Sequence, residues 1–504
     1  MKNRKLTFLL ALATVLPGAP AVGSMAYSQT AETYDIVLQG GRVMDPESGL
    51  DAILNLGIQD DRIVEISEST LQGREVVDAS GMVVAPGFID PHAHGQTNRA
   101  NEFQAHDGVT TALELESGKA FLRQWLAGRR GNAVINFGAS VAHGALRWMA
   151  MTRYAQQVRE AEQIVSREGL YNPRLGAVFA KVREARYQTL SEGETGTLIG
   201  RLQADLEAGG LGIGVPVGYY PAATRDELFR VFAFAAEKEV PVFTHVREIS
   251  IAGIQEAISN AAVTGAPLHI VHINSMALGD IEVALEMVAA AQKQGLDITT
   301  EVYPYTAAST SLESTIFDDG WRERLSISYE DLTWISTGER LTEETFKKYR
   351  KQGGTVIIDM MKPEWIEAGI GSPVTMIGSD GMSYAPSAHP RSAGTFSRVL
   401  GRYVREQNTL DLMTALGKMT ILPARRLEGV APSMHMKGRV QVGCDADITV
   451  FDPDQIIDTA NFEDDLSFSE GIHHVLVNGT FVVKDGQTVS GSHPGRPVLG
   501  RYRR

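Results

Sequence analysis

Two histidines one residue apart, His92 and His94, end the stretch Gly87-Phe88-Ile89-Asp90-Pro91-His92-Ala93-His94-Gly95. Upstream, Met82-Val83-Val84-Ala85 is apolar, Pro86-Gly87 interrupts the run and Phe88-Ile89 resumes it. A short apolar run bounded by Pro and Gly is expected to form a buried strand. Side chains i and i+2 leave a strand on one face, so both imidazoles should point the same way from its C-terminal end. Neutral imidazole nitrogens at that spacing can share one divalent metal ion. Taken alone, His-x-His describes two surface histidines after a strand equally well.

The same chemistry recurs at other strand ends. Candidate strands close on Glu114-Leu115-Glu116-Ser117, Phe243-Thr244-His245, Ile270-Val271-His272 and Ile377-Gly378-Ser379-Asp380. A lone histidine after a strand is ordinarily structural. Four histidines, a glutamate and an aspartate ending successive strands form a donor set for a metal ion. Each follows an apolar run, which places it at the C-terminal rim of a parallel barrel, where active sites of that architecture are built.

The elements needed to hold these residues are legible. Strand-like segments fall at 84–91, 109–116, 133–140, 211–217, 240–246, 268–273, 297–303, 355–360 and 374–379, with helical stretches such as 226–238, 251–263 and 281–293 between them. Alternation of this kind predicts an α/β fold, a (β/α)8 TIM-like barrel. Nine candidates compete for eight places, and 355–360 is assigned to an insertion spanning about 311–361, polar but with Trp321, Tyr329 and Trp334 as aromatic anchors. Short strands at 34–39, 41–44, 53–58 and 62–66, and again at 440–451 and 473–483, predict a small β-sandwich shared by the two chain ends. The expected division is 33–84 for its N-terminal part, 85–422 for the barrel and 423–504 for its C-terminal part.

Composition narrows the partners. The 504 residues are 43% hydrophobic and 21% charged, as in ordinary globular chains, and the formal net charge of −14 argues against nucleic acid and anionic membranes. The single cysteine, Cys444, allows neither an intramolecular disulfide nor a thiolate-rich zinc site. Lys2, Arg4 and Lys5 precede the apolar run 6–16, and Ser24-Met25-Ala26 offers small residues for cleavage. This reads as a secretory signal over 1–26, hence a periplasmic or secreted protein with no stable membrane insertion after cleavage; an uncleaved tether is the alternative.

At this point the sequence resembles the amidohydrolase superfamily and, within it, the D-aminoacylases (N-acyl-D-amino-acid deacylases). The resemblance is carried by residues 87–94, Gly108-Val109-Thr110-Thr111, His143-Gly144-Ala145-Leu146-Arg147, Thr244-His245-Val246-Arg247, Tyr303-Pro304-Tyr305-Thr306, Gly378-Ser379-Asp380-Gly381 and His389-Pro390-Arg391. It implies one or two zinc ions held by His92, His94, His245, His272 and Asp380, with Asp380 as the catalytic general base. It also implies that Tyr303, Ser309 and Arg391 hold the carboxylate of a small N-acyl amino acid, and it puts His143 at the rim or in a loop-orienting role. One departure stands out: where D-aminoacylases usually carry a cysteine ligand, this chain has Ser117. Glu116, nearer the rim, is the expected anionic substitute, with Glu114 as the alternative. After His272 comes Asn274, where several members carry a lysine that selects acidic side chains, so a preference for acyl-D-glutamate or acyl-D-aspartate is not expected.

The reading that follows is amide hydrolysis of an N-acyl-D-amino acid. A dipeptidase, a cyclic amidase of the dihydroorotase or hydantoinase type, and an esterase remain open, as does an inactive barrel used for binding. Chirality rests on the resemblance alone, and the residues leave acyl group and oligomeric state undetermined.

Overall fold

The computed structural model describes residues 33–503; the signal-like segment 1–26 lies outside them. Eight parallel strands run in sequence order around the molecule: β1 (Phe88–Asp90), β2 (Val109–Lys119), β3 (Asn136–Ala142), β4 (Ile213–Pro216), β5 (Val242–His245), β6 (Leu268–Ile270), β7 (Ile298–Val302) and β8 (Thr375–Ile377). Their apolar side chains are buried on both faces, as strands covered by helices require. Helices Arg225–Glu237, Ile251–Thr264 and Ile281–Lys293 pack outside; Thr224 and Ser250 cap the first two by accepting from the backbone N–H of Glu227 and Gly253.

The barrel closes at its C-terminal rim rather than along a full ladder. Ala93 bridges Gly381, and buried Asp90 accepts from the Ser379 hydroxyl at 2.5 Å and from the Ser379 and His92 amides, both at 3.0 Å. Asp90 is thereby the clasp between the first and last strands. Burial pushes its carboxyl up to about 6, against the downward pull of those Ser379 and His92 bonds.

The expected strand 84–91 is two strands with different partners. Val83–Pro86 belongs to the terminal sheet, Phe88–Asp90 to the barrel. Gly87 makes the break, because a Cβ there would lie 2.2 Å from the Thr110 side chain. The small β-domain of the chain ends is one nine-stranded sheet, stitched by antiparallel pairing of Val83–Pro86 with Ile448–Phe451. Its first strand, Thr33–Asp45, runs through a bulge where two were expected, and Gln72–Asp78 adds a strand that sequence reasoning missed. Leu38, Leu56, Ile63, Val450 and Leu476 form its own core. A buried ion cluster fastens it to the barrel: Lys437 donates to Asp445 and Asp447, and Asp447 accepts from Asn136 on β3.

After β7, strands Ala307–Ser311, Leu332–Trp334, Glu339–Arg340 and Thr355–Asp359 build a separate antiparallel sheet over the barrel mouth. Thr355–Asp359 is therefore no barrel strand. Phe317, Trp321, Phe346 and a Trp334–Tyr349 stack at 4.6 Å give this insertion its own core.

Candidate metal centre

Glu116 leaves the end of β2 into the middle of the rim and gathers four imidazoles. Its Oε1 lies 3.0 Å from His245 Nδ1 and 3.2 Å from His272 Nε2, while its Oε2 lies 3.3 Å from His94 Nε2 and 3.6 Å from His92 Nε2. Asp380 Oδ1 completes the group, 3.5 Å from His92 Nε2 and 3.3 Å from His94 Nε2. Three overlapping sets have their ligand atoms within 4.8 Å of one another: His92–His94–Glu116, Glu116–His245–His272 and His92–His272–Asp380. His272 and Asp380 adopt left-handed backbone conformations, with φ of 34° and 50°. Non-glycine residues hold that conformation at a cost, commonly where side-chain direction serves the site.

The chemistry of the donors fits a divalent metal. His92 Nε2 is fully buried, faces the cluster and has no hydrogen-bond partner. Burial works against charge on His92, yet the Glu301 and Asp380 carboxylates hold it well above the usual histidine range. His94 is likewise held high, by Glu114 against burial. Glu116, despite burial, is kept well below the carboxylate range by its imidazole partners, and Asp380 is kept low by Arg391 and His92. Buried carboxylates that pull protons onto neighbouring imidazoles are the arrangement in which a cation displaces those protons. The geometry also separates the two glutamates: Glu116 is in the cluster, whereas Glu114 stands behind it, 3.0 Å from His94 Nδ1 and 3.3 Å from Lys119 Nζ.

Sequence reasoning missed Glu301, on β7. It accepts from His92 Nδ1 and, at 3.0 Å, from His269 Nε2, so its oxygens fix the orientation of the His92 ring. Burial would raise its carboxyl, but His92 and His269 bring it down to about 2. Gly378 makes room for it, since a Cβ there would come within 2.8 Å of the Glu301 carboxylate. Its signal was available: Glu301 is a carboxylate inside the candidate strand 297–303, two residues before Tyr303 and so on the same face. His269 is the second imidazole on this carboxylate. Ligand-bound histidines are held by such outer carboxylates, whose loss costs about 10–100-fold in metal affinity. Glu301→Gln is expected to weaken metal binding within that range in a chelator competition; unchanged affinity would remove it from this role.

Beside the cluster, Arg391 Nη2 lies 2.9 Å from Asp380 Oδ2, and its guanidinium stacks 4.7 Å over the Tyr303 ring. Arg391 Nε and Nη1, the Tyr303 hydroxyl and Ser309 Oγ are buried with no hydrogen-bond partner. His389 is buried beneath Arg391: it takes the Arg391 amide on Nδ1 at 3.0 Å, and its Nε2 donates to the Ala307 carbonyl. Of the two places expected for His143, the rim or a loop-orienting position, the structure has the second. This histidine lies outside the cavity, fully buried, with Nε2 3.0 Å from Glu227, which also accepts from Arg147. Arg147 in turn donates to the Ala185, Gln188 and Ala222 carbonyls, so this motif braces the segments behind Tyr220 and does not face the cluster. Asn274 also lies off the cavity and donates to the Tyr303 carbonyl.

A cavity of about 890 Å³ opens onto His94, Glu116, His245, His272, Tyr303, Ser309 and Asp380. Residues 75–483 match the sequence profile of the Amidohydrolase family. The D-aminoacylase of Alcaligenes xylosoxydans xylosoxydans is 29% identical, over 94% of this chain and 98% of its own. An N-acyl-D-glutamate deacylase of the same organism is 30% identical over 92% and 96%. The crystal structure of the N-acyl-D-glutamate deacylase of Bordetella bronchiseptica, complexed with zinc and a phosphonate inhibitor that mimics the tetrahedral intermediate, superposes with a TM-score of 0.78 at 26% identity, covering 93% of this chain and all of that one.

Proposed function

Since the chain belongs to the amidohydrolase family and is a metal-dependent hydrolase, we propose that it cleaves the amide bond of N-acyl-D-amino acids, giving a carboxylate and a free D-amino acid. One observation carries the substrate class. Four unpartnered buried donor groups, Arg391 Nε and Nη1, the Tyr303 hydroxyl and Ser309 Oγ, are grouped immediately beside the metal cluster. Leaving a guanidinium half satisfied in a buried site is costly, and its planar fork fits a carboxylate in two bonds. A substrate carboxylate seated there sets its neighbouring amide over the cluster. The D configuration is proposed from the relatives, and a neutral side chain from Asn274, which puts no cation at that place.

His92, His94, Glu116, His245 and His272, with Asp380, would hold zinc, as one or two ions. Zinc, when bound, supplies a Lewis acid for the acyl carbonyl and brings the acidity of water close to neutrality. The rest is done by the chain. Asp380 Oδ1 faces the cluster and is kept ionised by Arg391, so it takes the proton of the attacking water. The same carboxyl then delivers that proton to the departing nitrogen, which leaves as an amine. Arg391 couples the two tasks, because one guanidinium touches Asp380 and presents its free nitrogens to the substrate.

Arg391→Lys keeps the charge and loses the fork. It is expected to raise KM for N-acetyl-D-leucine roughly 10–100-fold, the value of a charged hydrogen-bond pair. The preference of the enzyme for this acid over N-acetyl-D-leucinamide should collapse with it. Retained preference would place the carboxylate elsewhere. The segment 1–26 supports a periplasmic or secreted location; among the described residues no helix is long and apolar enough to cross a membrane.

A further inference from the structure

The cavity of about 890 Å³ extends past the cluster to residues that follow β2 and β3. Helix Pro173–Lys181 lies in the segment between β3 and β4, and β3 stands four places from β7 in the ring of eight strands. The wall here is apolar: Phe121 and Trp125 from the segment after β2, and Leu170, Leu175 and Phe179 from the segment after β3. Leu175, Gly176 and Phe179 follow the helical spacing that turns one face to the cavity. Phe121 sits in the left-handed region, with φ of 53°, a strained conformation in a residue that lines this wall. Gly176 lines the cavity at an exposed helix position with open space in front of it, since a Cβ built there meets no atom within 4 Å. The cations nearby are already engaged: Arg183 and Arg186 lie on Glu313, and Lys119 on Glu114.

Bond order in the substrate decides what this wall faces. An N-acyl amino acid reads carboxylate, Cα, nitrogen, carbonyl, acyl chain. With the carboxylate on Arg391 and the carbonyl at the metal cluster, the acyl group extends away from β7 toward Leu175 and Phe179. We propose that this annex binds a long aliphatic acyl chain, making the substrate an N-fatty-acyl-D-amino acid; the inference rests on the amide-hydrolysis reading above. An apolar wall rewards each buried methylene by roughly fourfold.

The test is kcat/KM of the zinc-loaded full chain for N-acetyl-, N-butanoyl-, N-octanoyl- and N-decanoyl-D-leucine. A rise of at least about tenfold from acetyl to octanoyl is expected. Gly176→Phe should abolish that gain and leave N-acetyl-D-leucine turnover unchanged, whereas Gly176→Ala, which adds no bulk and favours the helix, should keep it. A flat or falling series, or a gain that survives Gly176→Phe, overturns the annex while the hydrolysis reading stands. If no chain length is turned over, the hydrolysis reading fails and calorimetry with decanoate against acetate decides the annex. Tighter decanoate binding that is lost in Gly176→Phe supports it, and equal binding of the two acids overturns it.

Discussion

Asp380→Asn is expected to lower kcat by about 10²–10⁴-fold, the range general acid–base groups supply, with bound metal retained. Retention follows from geometry. The two histidine sets that share Glu116 do not need Asp380, so its removal takes one of three overlapping ligand groups. Asparagine fills the same volume and still accepts from Arg391 Nη2, which lies 2.9 Å from Asp380 Oδ2, so the substrate grip on Arg391 should persist and KM should move little. The amide cannot carry a proton between water and the leaving nitrogen. Loss confined to kcat, in a protein whose metal content equals that of wild type, is the pattern of a missing base. Loss of metal together with activity would instead make Asp380 chiefly a ligand.

Glu116→Ala has the opposite signature. Both of its oxygens face imidazoles, and it is the only carboxylate that belongs to two of the three candidate ligand sets among the described residues. Its removal strips the anionic donor from both sets and leaves His92, His94, His245 and His272 buried around a void. Metal affinity should fall by well over the ~10–100-fold that loss of an outer partner costs, and activity should fall with it. Glu114→Ala provides the contrast. Glu114 holds His94 Nδ1 from behind, so its loss should weaken metal binding within that smaller range. Metal content after dialysis against a graded chelator separates the cases; equal loss in both variants would contradict the assignment of Glu116.

The barrel was legible because its strands are apolar runs ended by polar residues, and those ends proved to be the rim. His92, His94, His245, His272 and Asp380 come together from four strand ends, in the region that the run-then-polar pattern marked. What the pattern could not convey was direction around each strand end. Glu114 and Glu116 were indistinguishable by spacing, and only the closure of the barrel puts one inside the cluster and the other behind His94. His143 ends an apolar stretch like the others, yet Glu227, 84 residues from it and 80 from Arg147 in sequence, turns it into the packing. Glu301 was overlooked because it lies inside its strand, before Val302, and not at its end. The break at Gly87 was invisible for a different reason: the contact with Thr110 that demands it is made by a residue 22 positions from the Phe88 carbonyl it neighbours, across the first two barrel strands.

The central claim is a metal-supported amide hydrolysis in which the carboxylate of a D-amino acid is held by Arg391. Its most direct measurement is turnover of N-acetyl-D-leucine and N-acetyl-L-leucine by the zinc-loaded protein, with each enantiomer followed by release of free leucine. The account predicts turnover of the D enantiomer, little or none of the L, and loss of the D signal once the metal is removed by chelator, with its return when zinc is restored. Turnover confined to the L enantiomer, or of neither by fully metal-loaded protein, would contradict it and direct the search to a different amide.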